Sequence, residues 1–184
     1  MIEVKTYISK GHTKPIKDID LSNTPKNHHN YPDFFYYDVS KVKKGELCID
    51  EELGEWIENA MLITYKDQIL IGPGVRELEL IQDVMYALAE FYKNGFKSLT
   101  QTLGVYYSRI RINNKGEDVE FIIFKEGNEE KYEYHGCAPR NLLFQAVLDS
   151  AFAYYTTLHK IDELNNDDYE GIVIIIIELR ELLN

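Results

Sequence analysis

Two stretches of the chain repeat apolar residues at the three-and-four spacing that collects them on one face of an α-helix. From Val75 to Asn94 the repeating positions are Leu78, Ile81, Val84, Met85, Leu88, Phe91 and Tyr92. From Pro139 to Ile161 they are Phe144, Val147, Leu148, Ala151, Phe152, Tyr155 and Leu158. Asn94-Gly95 is a typical C-terminal stop, and Pro139 suits the first turn of a helix. The pattern therefore predicts two long amphipathic helices.

Strand-like patterns lie before and between these helices. The segment NAMLITYKDQILIG indicates two short strands around a turn at Lys66 and Asp67. After the first helix, a three-strand meander is predicted, with loops at NNKG and EGNEE. In its middle strand Val119, Phe121 and Ile123 recur with the period of two that a half-buried strand requires. These segments predict an antiparallel sheet.

The C-terminal segment IVIIIIELRELLN fits two structures. β-branched runs favour strands, so Ile172–Ile177 could add a strand to the sheet. However, one helical face collects Ile172, Ile175, Ile176, Leu179, Leu182 and Leu183. We expect a C-terminal helix whose first half is buried on most sides.

The first 45 residues contain Pro15, Pro25 and Pro32, which interrupt both helices and sheets. We expect an irregular N-terminal arm over 1–45, with short strands at Met1–Ile8 and Phe34–Val39. The predicted fold is therefore α+β: a mainly antiparallel sheet with the two long amphipathic helices and a C-terminal helix packed on it, in a single domain over 1–184.

Charge and composition narrow the function classes. The formal net charge of −11 argues against nucleic-acid binding, which needs clustered Lys and Arg. The acidity lies in two blocks, since 45–90 carries eleven acidic residues against two basic ones and 161–184 carries seven against one. Two cysteines make no disulfide framework, and the longest apolar run is too short to span a membrane. With no N-terminal signal pattern, we expect a cytoplasmic protein that uses no cofactor and contacts no membrane.

The acidic segment ELCIDEELGEWIE suggests a surface for a basic partner. Clustered carboxylates are often no more than a solvated face, but they also recognise positive charge, and an aromatic side chain among them can anchor a contact. We predict that partner binding uses Glu46, Asp50, Glu51, Glu52, Glu55, Trp56 and Glu58.

The segment HGCAPRN concentrates reactive residue types. A cysteine at a helix N-terminus can have a lowered pKa, and His135 could act as the base for Cys137, although a third group would have to orient it. The alternative is a junction, in which a strand ends at His135, Gly136 turns the chain and Cys137 lies buried and inert beside the helix. We favour the junction and predict no catalytic residues.

Three other segments carry weaker chemistry. ILIGPGVREL resembles a phosphate cradle but lacks both glycine-rich signatures, so we expect it to form only a tight turn before a helix. His12, His28, His29 and Asp33 could ligate a metal, but we expect a solvated loop and no metal site. Arg109 and Arg111 are expected to pair with nearby glutamates rather than with an anion.

The order of these segments invites one comparison. An irregular arm precedes EWIENAMLITYKDQILIGPG, and a helix, a meander and a second long helix opening at CAPRNLLFQAVLDSAFAYY follow. This layout, with its size and acidity, resembles the small acidic immunity proteins of bacterial polymorphic-toxin and contact-dependent inhibition systems. The resemblance implies a cytoplasmic protein that binds and neutralises one cognate toxin, often a basic nuclease.

The sequence therefore favours a non-enzymatic binding protein, an immunity protein whose partner is a basic toxin. Two alternatives stay open: a small cytoplasmic enzyme using Cys137 and His135, and a structural or oligomeric protein that self-associates through its C-terminal apolar run. The pattern does not predict the oligomeric state.

Overall fold

In the computed structural model, the residues described are 1–10, 32–45, 58–104 and 108–183. They form an α+β fold in which the strands make two antiparallel sheets instead of the one expected. The strands are β1 (Ile2–Ser9), β2 (Tyr36–Asp38), β3 (Asn59–Tyr65), β4 (Gln68–Ile71), β5 (Arg76–Glu77), β6 (Leu99–Leu103), β7 (Ser108–Lys115), β8 (Asp118–Lys125) and β9 (Tyr132–Pro139). The helices are α1 (Pro32–Phe35), α2 (Leu80–Lys93), α3 (Arg140–Lys160) and α4 (Asn166–Glu181), with a 3-10 turn at Val39–Lys41.

The first sheet has the order β2-β1-β3-β4, and β5 pairs with β3 beside β4. The strands expected near the N-terminus are present as β1 and β2, so the first strand of the expected arm lies inside a sheet between two partners. The hairpin expected around Lys66 and Asp67 is confirmed as β3 and β4. Residues 11–31, which hold most of the predicted arm, lie outside the described residues.

The second sheet is a meander with the order β6-β7-β8-β9. The alternation predicted for its middle strand is confirmed, because Val119, Phe121 and Ile123 of β8 are fully buried. The meander has four strands rather than three, since β6 precedes the expected first strand and pairs with β7. The inner face of this sheet therefore contributes a continuous apolar layer to the core.

Helices α2 and α3 lie in the two segments for which periodicity predicts long amphipathic helices. The α3 bounds agree closely with the expectation, whereas α2 begins at Leu80 and not at Val75. Arg76 and Glu77 instead form β5, in which Arg76 pairs with Ala60 of β3 and Glu77 pairs with Asn59. A pairing between distant strands thus overrides the local helical pattern.

The C-terminal run forms helix α4, and the alternative of an added strand is wrong. The expectation that its first half is buried on most sides is also wrong. Only Ile176 and Leu179 of α4 are buried, whereas Ile174 and Ile177 are 57% and 52% exposed. The helix is therefore a surface element that packs along one side on α3.

One apolar cluster takes residues from both sheets and from α2, α3 and α4. Helix α3 is central to it, since it contacts β1 of the first sheet, β9 of the second, and both α2 and α4. The two sheets also meet directly where β4 contacts β9. In the described part of the chain, no helix combines the length and apolar character needed to cross a membrane.

Candidate functional site

Most of the surface predicted for partner binding cannot be placed. Glu46, Asp50, Glu51, Glu52, Glu55 and Trp56 lie outside the described residues, and the surface stays a prediction. Glu58 is described and directly precedes β3, where its backbone carbonyl accepts a hydrogen bond from the Ser9 amide at 2.9 Å. The next residue, Asn59, donates to the Leu78 carbonyl at 2.9 Å and accepts from the Ile81 amide. The end of the predicted acidic segment is therefore joined to the start of α2.

The expected junction at HGCAPRN is wrong in its geometry. Strand β9 continues through His135, Gly136 and Cys137 as far as Pro139, so the chain does not turn at the glycine. Gly136 is instead needed for close packing, because an added Cβ would lie 2.5 Å from Cδ2 of Leu70 and 2.9 Å from Oε1 of Gln68. Gln68 also accepts a hydrogen bond from the Cys137 amide at 2.8 Å. The segment is where β4 of one sheet packs on β9 of the other.

His135 and Cys137 lie on one face of β9, and the strand register brings Glu120 of β8 opposite Cys137. Glu120 Oε1 lies 3.0 Å from His135 Nε2 and could supply the orienting group that a catalytic histidine requires. The thiol is not activated in this setting. Burial raises the pKa of Cys137, and Glu120 raises it further, opposite to the thiolate stabilisation that a nucleophile needs. Cys137 is half-buried and not fully buried as expected.

The glycine-rich segment at Gly72-Pro73-Gly74 is packed against side chains of the protein itself. An added Cβ at Gly72 would lie 2.3 Å from the ring of Tyr134, which packs directly on the turn. The Tyr36 hydroxyl donates a hydrogen bond to the Pro73 carbonyl. Two tyrosines of the protein itself therefore occupy the turn. It leads into β5, so the expected tight entrance to a helix is also wrong.

The other residues considered in the sequence are the two arginines of β7 and the candidate metal ligands near the N-terminus. Arg109 pairs with Glu126, and Arg111 pairs with Glu129 at 2.7 Å, as expected. His12, His28 and His29 fall outside the described residues, while Asp33 lies in α1. Within the described ranges, no group of three or more potential metal-ligating side chains is found.

A groove of about 610 Å³ opens between the start of α2, the second half of α3 and the first half of α4. The exposed residues at its rim include Glu79, Asp167 and Asp168. Its deeper walls are formed by Tyr86, Tyr155, Leu164, Ile172 and Ile175. None of its described lining residues is a lysine or an arginine. We call this feature the acidic groove.

Sequence reasoning missed the acidic groove because its two rims are distant along the chain. Glu79 belongs to the acidic block over 45–90, and Asp167 and Asp168 belong to the block over 161–184. The packing of α2 and α4 on α3 brings the two blocks to one opening. The block pattern was visible in the sequence, but nothing local indicated that the blocks meet.

Negative charge accumulates around this opening. Burial raises the pKa of the Tyr155 phenol, and Glu79, Tyr86 and Asp83 raise it further. Burial likewise raises the pKa of the Asp83 carboxyl, and the negative charge of Glu79 adds to the increase. The hydrogen bond that the Gly104 amide donates to Asp83 lowers the pKa and offsets part of it. Burial is the larger cause of both increases and disfavours charge of either sign, so only the smaller contribution from Glu79 reflects a preference for positive charge at this opening.

The α4 wall of the groove is held at both ends. Near its start, the rings of His159 and Tyr169 stack with centroids 4.4 Å apart, and His159 Nδ1 lies 3.2 Å from the Leu164 carbonyl oxygen. Towards its end, Arg180 pairs with Asp149 of α3 at 2.7 Å. The groove is therefore formed before any partner binds, which reduces the entropy lost on association.

No protein-family model, curated protein or solved structure was found to match this chain.

Proposed function

We propose that this is a non-enzymatic binding protein that holds a basic partner protein. The observation that carries the proposal is the acidic groove, in which three carboxylates surround apolar walls without a basic residue among its described lining. Following the resemblance to immunity proteins, the partner is a cognate bacterial toxin, and the protein neutralises it in the cytoplasm by covering its surface.

The charge distribution supports recognition of a protein more than of a small anion or a nucleic acid. Complementary charge accelerates encounter and selects against wrong partners, while apolar contacts that exclude water supply much of the affinity. The acidic groove offers both, since carboxylates stand above Ile172 and Ile175. The net charge of −11 extends the same preference over the whole chain.

The predicted surface from Glu46 to Glu58 is compatible with this arrangement. Asn59, the residue after Glu58, binds Leu78 and Ile81 on either side of Glu79, which stands at the groove rim. In our proposal the acidic segment extends the contact beyond the groove, and Trp56 supplies an aromatic anchor. The segment and the groove then form two parts of one partner-binding surface.

The test measures binding to the purified product of the neighbouring gene. We expect a complex whose affinity falls as salt rises, because salt screens the charge pairs across the interface. Cells that produce this protein should also survive the product. If no complex forms and cells are not protected, the immunity function is wrong.

Matched variants locate the contact. Replacing Glu79 by Gln and Asp167 by Asn removes two rim charges, whereas Glu117→Gln with Glu181→Gln removes two exposed charges outside the groove. We expect only the first pair to weaken the complex. If Glu51→Gln with Glu55→Gln weakens it and the groove pair does not, binding belongs to the predicted segment alone.

A further inference from the structure

Helix α4 contains a glycine that its own fold does not require. Gly171 lies in the interior of Asn166–Glu181 and lines the acidic groove. A glycine inside a helix costs about 1 kcal/mol relative to alanine, because it loses more backbone entropy on folding. Beyond the helix's own backbone, no atom of the described residues lies within 4 Å of where its Cβ would stand. The absence of a side chain here widens the groove without relieving any contact among the described residues.

The apolar surface of the groove continues outward from this glycine. Ile174 is one helical turn further along α4 and is 57% exposed, so it extends the apolar wall of Ile175 towards solvent. Residues three and four apart are neighbours on a helix, and Gly171 therefore lies between Asp167 and the two isoleucines. A partner that contacts the glycine would cover Ile174 and meet the carboxylate of Asp167 as well.

The walls of the groove favour one form of partner. They are contributed mainly by α2, α3 and α4, and beyond the first turns of α2 and α4 the backbone groups of these helices are paired within the helices. An extended peptide would find no strand edge there and would leave its own amides and carbonyls without partners. A helix satisfies its own backbone and presents side chains at a matching spacing, which is how amphipathic helices bind in grooves.

We propose that the acidic groove receives a basic amphipathic helix of the partner protein, packed closely against α4 at Gly171. Its apolar side chains contact Ile172, Ile174 and Ile175, and its lysines or arginines face Glu79, Asp167 and Asp168. This inference rests on the proposed function and adds the mode of binding. A second copy of this acidic chain is the less favourable occupant, since its net charge would be repelled by the carboxylates.

The probe is a synthetic amphipathic helical peptide of leucine and lysine, titrated calorimetrically into the full chain. A matched peptide carries glutamate at every lysine position. Three variants separate the contributions: Gly171→Trp fills the groove, Gly171→Ala adds one methyl group, and Leu142→Trp places the same indole on an exposed position at the start of α3, outside the groove. Thermal unfolding of each variant shows whether the fold is retained.

We expect the lysine peptide to bind, the glutamate peptide not to bind, and Gly171→Trp to weaken binding at least about tenfold. Gly171→Ala should weaken it a few-fold although the protein becomes more stable, and Leu142→Trp should leave it unchanged. Gly171→Trp could bind the lysine peptide as tightly as the native chain does, while the loss of the Glu79 and Asp167 charges weakens that binding. In that case the docking at Gly171 is wrong, but the recognition of a basic partner is still supported.

Two further results have separate meanings. If the native chain does not distinguish the lysine peptide from the glutamate peptide, recognition of a basic partner is itself contradicted. If spermidine binds the native chain as tightly as the lysine peptide does, the groove takes a small polyamine and the helical partner is overturned. Sedimentation of the peptide-free chain as a dimer that Gly171→Trp dissociates would assign the groove to a second copy instead.

Discussion

Gly136 in strand β9 and Gly171 in helix α4 both stand inside a regular element, where glycine weakens the structure. At Gly136 the fold itself fills the space, since Leu70 and Gln68 reach the position where a Cβ would lie. At Gly171 the corresponding space is open to the acidic groove. The first glycine is explained by packing between two sheets, whereas no contact of the described residues explains the second. Residues that a fold does not need are the better indicators of function.

The largest loss of stability is expected for Gly72→Ala, at the turn where Gly72 packs against the ring of Tyr134. The added methyl group would lie 2.3 Å from the Tyr134 ring, so the ring or the turn must move. We expect the free energy of unfolding to fall by about 3 kcal/mol, the upper range for overpacking. Chemical denaturation measures it. In a Tyr134→Ala background the same substitution should cost little, and a cost that is unchanged there would show that the ring is not the obstacle.

Gly136→Ala should have a smaller effect at the same sheet junction. The nearest atoms are the ends of the Leu70 and Gln68 side chains, which can shift more easily than an aromatic ring. We expect a loss of about 1–2 kcal/mol in the free energy of unfolding. A stabilised variant would mean that the two sheets are less closely packed than the structure indicates.

Gly171→Ala should change stability in the opposite direction. Because the new methyl group meets open space, the gain in helix propensity is not offset by a clash, and we expect about 0.5–1 kcal/mol of stabilisation. Urea denaturation of the two proteins checks this. Destabilisation would mean that the protein's own packing requires the glycine, and the contrast with Gly136 would disappear.

The Glu120 carboxylate beside the junction supplies a pH-dependent test. Hydrogen bonds from His135 and Asn113 lower the pKa of Glu120. A carboxyl whose pKa is lower in the folded state stabilises the protein above its unfolded pKa, and the stabilisation is lost as pH falls through the folded pKa. We expect Glu120→Gln to cost up to about 1 kcal/mol at neutral pH. The difference from the native protein should disappear in acid, and a difference that persists there would contradict the ionic explanation.

The smallest effect is expected for the Cys137 thiol. Since burial and Glu120 raise its pKa, a thiol reagent near neutral pH should label it more slowly than free cysteine. Glu120→Gln should increase the rate modestly by removing one negative charge. Labelling faster than free cysteine would restore the catalytic alternative with His135.

Periodicity predicted α3 and the alternating strand β8, because in both the local pattern and the final burial agree, and the β3–β4 hairpin followed from two apolar runs on either side of a turn. It failed at Val75, where pairing with β3 makes a short strand, and at His135, where β9 continues past Gly136. Both failures involve neighbours from distant parts of the chain. Of the predicted acidic surface only Glu58 lies among the described residues, and the whole surface, Glu58 included, stays a prediction.

The sequence by itself determined the α+β class, the main helices and most strands, and the concentration of net negative charge in two blocks. These follow from the spacing of apolar residues and from residue counts, which require no knowledge of distant contacts. Only the tertiary structure decided that the two blocks meet at one groove, that Gly136 is packed and that Gly171 is open. Those properties depend on which surfaces α2 and α4 present after packing on α3, and no local pattern encodes that arrangement.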